Sequence, residues 1–292
     1  MQLVPDLRRP ANKEEERLLF ALVDAVEAES IDRVRAALAA GADVSLHLKS
    51  GDTALGKAAR RDSLPVVGLL LDVANDVVKD YRWFDTAIVA GASRRPCSIG
   101  PQLVEMMLKA GADPSAVGLN CTALQAAVYA HNVDTARMLL DAGAAVDAVA
   151  PGFNVTPLAL AMGMCGRLYD DDFVEASLEM TELLARAGAD AAYVPDRGGW
   201  ASAEQGFLTP YQYAMSKSRF DIVRALTVLS GQDPLQTSAD GKPMWALIGT
   251  SSPKKREAAR EFILSLASEV SVSQAVGGGS SVTREPKLDC CL

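Results

Sequence analysis

A short tripeptide recurs along the chain, each time directly after an apolar run of helical character, and this recurrence restricts the fold more than any other feature. Clear copies are Gly41-Ala42-Asp43, Gly111-Ala112-Asp113 and Gly188-Ala189-Asp190, and looser copies are Gly143-Ala144-Ala145 and Gly231-Gln232-Asp233. Ala74-Asn75-Asp76 fits the same slot and lies 33 residues beyond Gly41. A fixed period near this length predicts a stack of similar units rather than a globule with one core.

A threonine marker follows most of these turns after 11 to 13 residues. Its copies are Thr53-Ala54-Leu55, Thr86-Ala87-Ile88, Thr122-Ala123-Leu124 and Thr156-Pro157-Leu158, with a delayed copy at Thr209-Pro210-Tyr211. A threonine hydroxyl can cap a helix, and proline suits the first helical position, where no N–H is needed. The glycine after the second helix can adopt the left-handed conformation that closes it. Each unit is therefore predicted to contain a turn, two helices and an extended finger.

These alternating start and stop signals resemble the ankyrin repeat, at 53–76, 122–143 and 209–231. In that family the threonine motif normally continues Pro-Leu-His, whereas the histidine slots of this chain hold Gly56, Val89, Gln125, Ala159 and Gln212. The resemblance implies an all-α ankyrin-repeat solenoid of about seven stacked helix-turn-helix units with extended finger loops. Helix pairs are expected at approximately 13–40, 53–73, 86–110, 122–142, 156–187, 209–230 and 243–268.

The period divides the chain into an N-terminal extension at 1–12, a solenoid at 13–269 and a flexible tail at 270–292. The solenoid units are expected at about 13–48, 49–81, 82–117, 118–151, 152–195, 196–236 and 237–269. The two terminal pairs are expected to act as caps that cover the apolar faces left open at each end of the stack. Insertions near 91–100, 163–173 and 197–206 fall in loops, where we expect individual function to be encoded.

Composition restricts the class of protein. A formal net charge of -8 argues against a general affinity for nucleic acid, which needs clustered cations. The five cysteines are odd in number and lack metal-site spacing, which favours a reducing, cytoplasmic location. The sequence does not open with a basic segment followed by an apolar stretch, so no secretion signal is predicted. We expect a monomer.

Three patterns suggest chemistry, and each has a plainer interpretation. Gly51 to Ala58 matches a phosphate-binding loop except that Ala58 replaces the magnesium-binding hydroxyl, but the same residues fit the turn and cap of the repeat in register. The two histidines, His47 on a finger and His131 at a left-handed turn, lack triad or metal partners in the sequence. Asp170-Asp171-Asp172 lacks calcium-loop spacing and is interpreted as a solvated acidic loop. No catalytic, cofactor-binding or metal site is therefore predicted.

The resemblance to ankyrin repeats implies that a partner binds at the finger tips and at the exposed side of the first helices. It places six residues near one concave surface, namely Arg60, Arg61, Arg94, Arg95, Tyr129 and Lys217. Aromatic residues of the fingers and of one insertion join them, namely Tyr81, Trp83, Phe153, Tyr193 and Trp200. Arginine and aromatic side chains are common at binding hot spots, but the same residues also fit a solvated helix face with aromatics that cover the core.

The ending Cys290-Cys291-Leu292, after the glycine- and serine-rich stretch 277–281, looks like the two-cysteine lipidation signal of small membrane-traffic GTPases. A four-residue prenylation box is excluded because its cysteine position holds Asp289. Lipidation in those proteins depends on recognition of the GTPase fold, and no strong basic run supports membrane attachment here. Membrane association is therefore expected only if this tail is modified.

The pattern as a whole predicts an intracellular, non-enzymatic adaptor or scaffold whose partner is another protein. The alternative is a regulatory or targeting subunit that controls a separate enzyme, with a lipidated cysteine pair as a membrane tether. Both interpretations depend on a rigid stack that presents a preformed face.

Overall fold

The computed structural model describes residues 9–50, 52–77, 88, 89, 92, 100–118, 121–150, 154–163, 173–194, 208–238, 241–248 and 252–277. Within them the chain is helical, and short antiparallel bridges are the only pairing of extended backbone. The helices are α1 (Lys13–Glu27), α2 (Ile31–Ala39), α3 (Ala54–Arg60), α4 (Leu64–Val77), α5 (Gly100–Lys109), α6 (Ala123–Tyr129), α7 (Val133–Asp141), α8 (Pro157–Ala161), α9 (Phe173–Arg186), α10 (Pro210–Ser216), α11 (Phe220–Ser230), a 3₁₀ helix (Met244–Leu247) and α12 (Pro253–Gly277). First and second helices thus alternate along the chain, as the period predicts.

The threonine marker starts the first helices, as predicted. The hydroxyls of Thr53, Thr122, Thr156 and Thr209 accept hydrogen bonds from the backbone N–H groups three residues later. Each bond satisfies one of the donors that the start of a helix leaves without an intrahelical acceptor. Thr86 lies outside the described residues.

Left-handed residues end the helices at regular places. Gly41, Gly111, Gly143, Gly188 and Gly231 follow second helices with φ between 64° and 95°, which confirms their predicted role. The turn between the first and second helices also uses positive φ, and here the chain has Glu29, Asp62, His131 and Ser218. The left-handed backbone predicted at His131 is confirmed, with φ 58°.

The aspartates of the recurring tripeptide shape the fingers. Each carboxylate accepts a hydrogen bond from the backbone N–H two residues later, at 2.8 to 2.9 Å, for Asp43, Asp113, Asp190 and Asp233. Such a bond holds the chain in a turn. Antiparallel bridges then close three of the fingers, at His47 and Thr53, Val117 and Thr122, and Thr237 and Pro243. His47, placed on a finger by the sequence, is buried there and donates from Nδ1 to the Leu48 carbonyl oxygen at 2.7 Å.

One continuous core runs through the stack from Leu22 to Leu266. Alanines fill much of it, since small side chains allow the helices to approach closely. Gln125, in a histidine slot, is fully buried and makes three hydrogen bonds. Two form a reciprocal cap with Thr122, and in the third its Nε2 donates to the Val155 carbonyl oxygen of the next unit at 2.8 Å. Gln212 repeats the arrangement with Thr209 and, at 3.5 Å, with the Thr237 carbonyl oxygen.

Two predicted boundaries are wrong in position. The second helix of the second unit was expected to end before Ala74-Asn75-Asp76, but α4 continues to Val77, because this copy of the tripeptide has no glycine to reverse the chain. The flexible tail was expected from residue 270, but α12 continues to Gly277. No glycine or proline interrupts the segment between Ser252-Pro253 and Gly277, so nothing stops the helix earlier.

Replacing Gln125 by alanine is expected to lower the free energy of unfolding by about 2 kcal/mol, because the buried N–H of Thr122 and carbonyl oxygen of Val155 both lose their partner. The matched change Gln212→Ala removes the same cap but a longer bond to the next unit, and should cost about half as much. Urea denaturation monitored by circular dichroism measures both. Equal losses would contradict the larger contribution assigned to the shorter bond from Gln125 to the next unit.

Candidate partner-binding site

Three first helices, α3, α6 and α10, expose one side only. Apart from Lys57 and Arg60, every residue of α3 is buried, and every residue of α6 except Tyr129 is buried. In α10 the residues that are not buried are Tyr213 and Ser216. These residues stand four or seven positions after the capping threonine, so they lie on the same side of their helices. We call this side, with the residue eight positions after the threonine, the inner face; it comprises Lys57, Arg60, Arg61, Ala126, Tyr129, Ala130, Tyr213, Ser216 and Lys217.

The basic part of the inner face is internally paired. Lys57 Nζ lies 2.8 Å from Glu27 Oε1 on α1, and Arg60 forms an ion pair with Asp52. The hydrogen bond from Lys57, the charge of Lys57 and, more weakly, the charge of Arg61 lower the pKa of Glu27 below its ordinary value. Lys57 and Arg60 on α3 therefore have an acidic partner within the chain. Arg61 is exposed and is the one that we expect to contribute most to attracting a partner.

The ion pair between Lys57 and Glu27 also helps to interpret the match of residues 51–58 to a phosphate-binding loop. Thr53 caps α3 by accepting from the Gly56 N–H at 3.0 Å, and the side chain of Lys57 is directed to Glu27. The interpretation of this stretch as turn and cap is confirmed at Thr53, and Gly51 lies outside the described residues. Residues 53–58 thus form the cap and the first turns of α3, as the repeat requires.

Tyr129 lies at the centre of the inner face. Its side chain ends α6 and is 41% exposed, although the six residues before it are all buried. Ala126 and Ala130, its neighbours on the face, are small and buried. An aromatic ring flanked by small residues on a rigid helix offers a large area to a partner at little cost in conformational entropy.

Tyr213 and Lys217 form the far part of the face. The Lys217 Nζ lies 5.3 Å from the centroid of the Tyr213 ring, within the range of a cation–π contact. Sequence reasoning selected Lys217 and missed Tyr213. The signal was present, because Tyr213 stands four residues after Thr209, as Lys57 does after Thr53.

The fingers are joined to one another by polar contacts. The Asp147 carboxylate accepts from the Asp190 N–H at 3.1 and 3.2 Å, and Ser115 Oγ accepts from the Ala145 N–H at 2.9 Å. Burial raises the pKa of Asp147, the bond from Asp190 lowers it, and the charge of Asp190 raises it. Half-buried Tyr193 follows this contact, with its N–H donating to the Asp190 carbonyl oxygen at 3.4 Å. Adjacent fingers therefore hold each other in place.

The structure brings Arg60, Arg61, Tyr129 and Lys217 onto equivalent sides of first helices and puts Tyr193 on a finger. The other predicted contact residues lie outside the described residues, namely Tyr81, Trp83, Arg94, Arg95, Phe153 and Trp200. The same holds for the acidic loop 170–172 and for Cys290 and Cys291. In the described part of the chain, no group of three or more histidine, cysteine or acidic residues is placed to hold a metal ion.

None of the helices in the described ranges is both long and apolar enough to cross a bilayer.

Comparison with known proteins agrees with this architecture. The ankyrin-repeat family model matches residues 119–150, which correspond to the unit expected at 118–151. An ankyrin-repeat domain from Acinetobacter baumannii AYE shares 23% identity, with a TM-score of 0.55, over 72% of this chain and 97% of that domain. The ankyrin-repeat domain of human ASB11 shares 17% identity, with a TM-score of 0.53, over 84% of this chain and 96% of that one.

The ankyrin-repeat domain of Bcl-3, a member of the IkappaB protein family, shares 19% identity, with a TM-score of 0.57, over 82% of this chain and 97% of that one. No curated protein sequence matches the chain significantly. The predicted family resemblance and the ankyrin-repeat solenoid fold are confirmed, while the number of units stays a prediction.

A pH titration tests the anchoring of α10, the helix that carries Tyr213. Tyr211 is fully buried and its hydroxyl donates to Thr227 Oγ1 at 2.7 Å. Burial raises its pKa from 10.0 to about 12, and the charge of Asp233 acts in the same direction. The folded state binds the phenolic proton more tightly than the unfolded state. The contribution of Tyr211 to the free energy of unfolding is therefore fully present below pH 10 and is lost as the pH rises towards 12.

This group alone is expected to remove up to about 3 kcal/mol from the free energy of unfolding over that range. In Tyr211→Phe the loss should be smaller by that amount, and Thr227 stays satisfied because its hydroxyl donates to the Val223 carbonyl oxygen. Urea denaturation of both proteins between pH 9 and pH 12 measures the difference. Parallel profiles would contradict the assignment.

Proposed function

We propose that this chain, whose fold is that of an ankyrin-repeat solenoid, is an adaptor or scaffold that holds a segment of another protein against its inner face. Ankyrin repeats are in general protein-interaction modules. The observation that carries the proposal is Tyr129, a half-exposed aromatic ring at the centre of a face whose neighbouring positions are buried alanines. No catalytic step is assigned to the chain.

Rigidity supports the proposal. The helices that carry the inner face are capped by threonine, held to the next unit by Gln125 and Gln212, and joined at the fingers by Asp147 and Ser115. A face that is ordered before binding loses little conformational entropy when a partner docks. A modest contact area is then sufficient for stable association.

The basic residues of the inner face contribute less to partner binding than the sequence indicates. Since Lys57 and Arg60 already have acidic partners, a docking segment gains little from them unless it displaces Glu27 or Asp52. Exposed ion pairs of this kind contribute only about 0–1 kcal/mol each. We therefore assign the larger part of the binding energy to the aromatic residues Tyr129 and Tyr213, with Arg61 and Lys217 as charges at either end.

The test compares the proteins captured by the full chain and by two variants in its native cell. Tyr129→Ala removes the central ring, and Arg61→Glu reverses the exposed charge, while neither residue is part of the core. Each is expected to reduce capture of the specific partner by about tenfold, the effect typical of a hot-spot residue. Proximity labelling with quantitative mass spectrometry measures the change.

Arg137→Glu is the matched control, because Arg137 is also exposed but lies on the second helix α7, away from the inner face. It should leave the partner set unchanged. Thermal denaturation of all variants verifies that they fold. Partner capture that survives both Tyr129→Ala and Arg61→Glu would refute binding at this face.

An enzyme among the partners whose rate changes when this chain is removed would favour the regulatory alternative over passive scaffolding.

A further inference from the structure

An open groove lies at the last described end of the stack, on elements that carry none of the inner face. Its volume is about 580 Å³. Three elements line it: the end of α11, the finger turn that follows, and the second half of α12. We call it the end groove; the lining residues used below are Thr227, Val228, Gln232, Asp233, Leu235 and Glu269.

The end groove is open because α12 does not turn where earlier second helices do. Helix α11 ends at Ser230, and a finger turn follows it. Helix α12 has no glycine before Gly277, so it continues beside this turn, and no further finger follows it within the described residues. The finger turn at 231–235 therefore has no later described finger to cover it.

The end of α11 is closed differently from the ends of α2, α5, α7 and α9. After each of those helices a glycine N–H donates to the carbonyl oxygen three residues earlier, and the next N–H donates to the carbonyl oxygen five residues before it, at 2.9 to 3.1 Å. Gly231 and Gln232 make neither bond, and the φ of Gly231 is 64° instead of 91° to 95°. The carbonyl oxygens of Val228 and Thr227, which hold the two acceptor positions, lack these donors.

Negative charge and further acceptors surround this helix end. The last carbonyl groups of a helix carry the negative end of its dipole. Asp233 is exposed, and only its Oδ1 has a partner among the described residues, the Leu235 N–H at 2.8 Å. Glu269 pairs with Arg224 at 2.6 Å, so this pair adds little net charge. The Ser230 hydroxyl oxygen is buried and has no hydrogen-bond partner in the described part of the chain.

Apolar side chains lie around these acceptors. Val228 is 68% exposed and Leu235 56%, while buried Leu266 and half-buried Val270 complete the lining. Single exposed apolar residues are ordinary, but a cluster around a concave site marks an interaction surface. The volume lies in the range of small-ligand pockets, so the groove has room for one long side chain and its neighbours rather than for a whole helix.

We propose that the end groove binds an arginine side chain of a partner protein, from a short segment in which apolar residues flank the arginine. A guanidinium group has five N–H donors in one plane, so it can donate both to the helix-end carbonyl oxygens and to the Asp233 carboxylate. Its aliphatic stem packs on apolar surface, which Val228 and Leu235 provide. An ammonium group is a more strongly hydrated point charge with three donors, so lysine fits this set of acceptors less well.

The end groove is a second interaction surface, separate from the inner face. Its lining residues belong to α11, α12 and the turn between 231 and 235, whereas the inner face belongs to α3, α6 and α10. A chain with both surfaces can hold two segments at the same time.

Nuclear magnetic resonance of the full chain with short peptides provides the test. The probe is the acetylated and amidated peptide Gly-Leu-Arg-Leu-Gly, and its matched control carries citrulline, which has the shape of arginine without the charge. We expect the probe to shift the amide resonances of Gly231, Gln232 and Leu235 in a saturable way and to leave that of Tyr129 unchanged. The citrulline peptide should bind about tenfold more weakly, because charge-assisted hydrogen bonds are the stronger ones.

Two aspartate variants test the role of charge. Asp233→Asn removes the negative charge but keeps the oxygen that accepts from the Leu235 N–H, so the finger turn is retained. It should weaken binding of the arginine peptide about fivefold and change binding of the citrulline peptide little. Asp113→Asn is the matched control, because Asp113 is also exposed and accepts from the N–H two residues later at 2.8 Å. It should leave both affinities unchanged.

An apolar variant tests the walls of the groove. Leu235→Ser removes an exposed apolar side chain and should weaken both peptides to a similar extent, about threefold. Val194→Ser is its control, since Val194 is 47% exposed on another finger, and it should have no effect. Thermal denaturation verifies that all variants fold.

Four results would overturn the proposal. Equal affinities of the two peptides for the native chain would show that the groove does not select a cation. Equal losses in Asp113→Asn and Asp233→Asn would assign the effect to the overall charge of the chain. Shifts at Tyr129 without shifts at Gly231 would place the peptide on the inner face. A dimer that sedimentation detects and that Leu235→Ser dissociates would assign the groove to a second copy of the chain.

Discussion

Burial between neighbours is the constraint on which the rest of the structure depends: a helix hairpin of this size cannot cover its own apolar side, so each unit needs the next one. Polar contacts between residues 30 positions apart set the spacing of the stack. Glu27 pairs with Lys57, the Val155 carbonyl accepts from Gln125, and Ser115 accepts from the Ala145 N–H. These bonds repeat at helices and at fingers, and each would be lost if one unit slid past its neighbour. The apolar contacts supply most of the stability, and the polar ones fix the register.

The same constraint produces both candidate surfaces. The first helices α3, α6 and α10 are covered on almost all sides, so only positions four or seven residues after the capping threonine stay near solvent. Tyr129 and Tyr213 occupy two of these positions. At the end of the stack the opposite situation holds. Helix α12 passes the point at which a further finger would form, and the finger turn at 231–235 keeps its apolar Leu235 exposed. One surface results from repetition and the other from its interruption.

Local signals explain how much could be predicted. A threonine hydroxyl and a glycine after the helix act within one turn of backbone, so Thr53, Thr122, Thr156, Thr209 and the five closing glycines could be assigned without coordinates. The prediction was wrong where the local signal was weak, at Ala74-Asn75-Asp76 and after Glu269, because helix continuation there depends on the absence of a stop. The site was only partly predictable. Arg60 was selected for its charge, but its pairing with Asp52 depends on how the finger packs on α3.

The sequence by itself determined the architecture, since caps, turns and apolar spacing are short-range properties that repeat with a period and require the same hairpin each time. Only the tertiary structure decided which side chains remain available. Whether Lys57 meets a partner or Glu27, whether Gln125 can replace the histidine of the family motif, and whether the finger at 231–235 is covered all depend on residues about 30 or more positions away. Such contacts arise from stacking, and no local pattern encodes them.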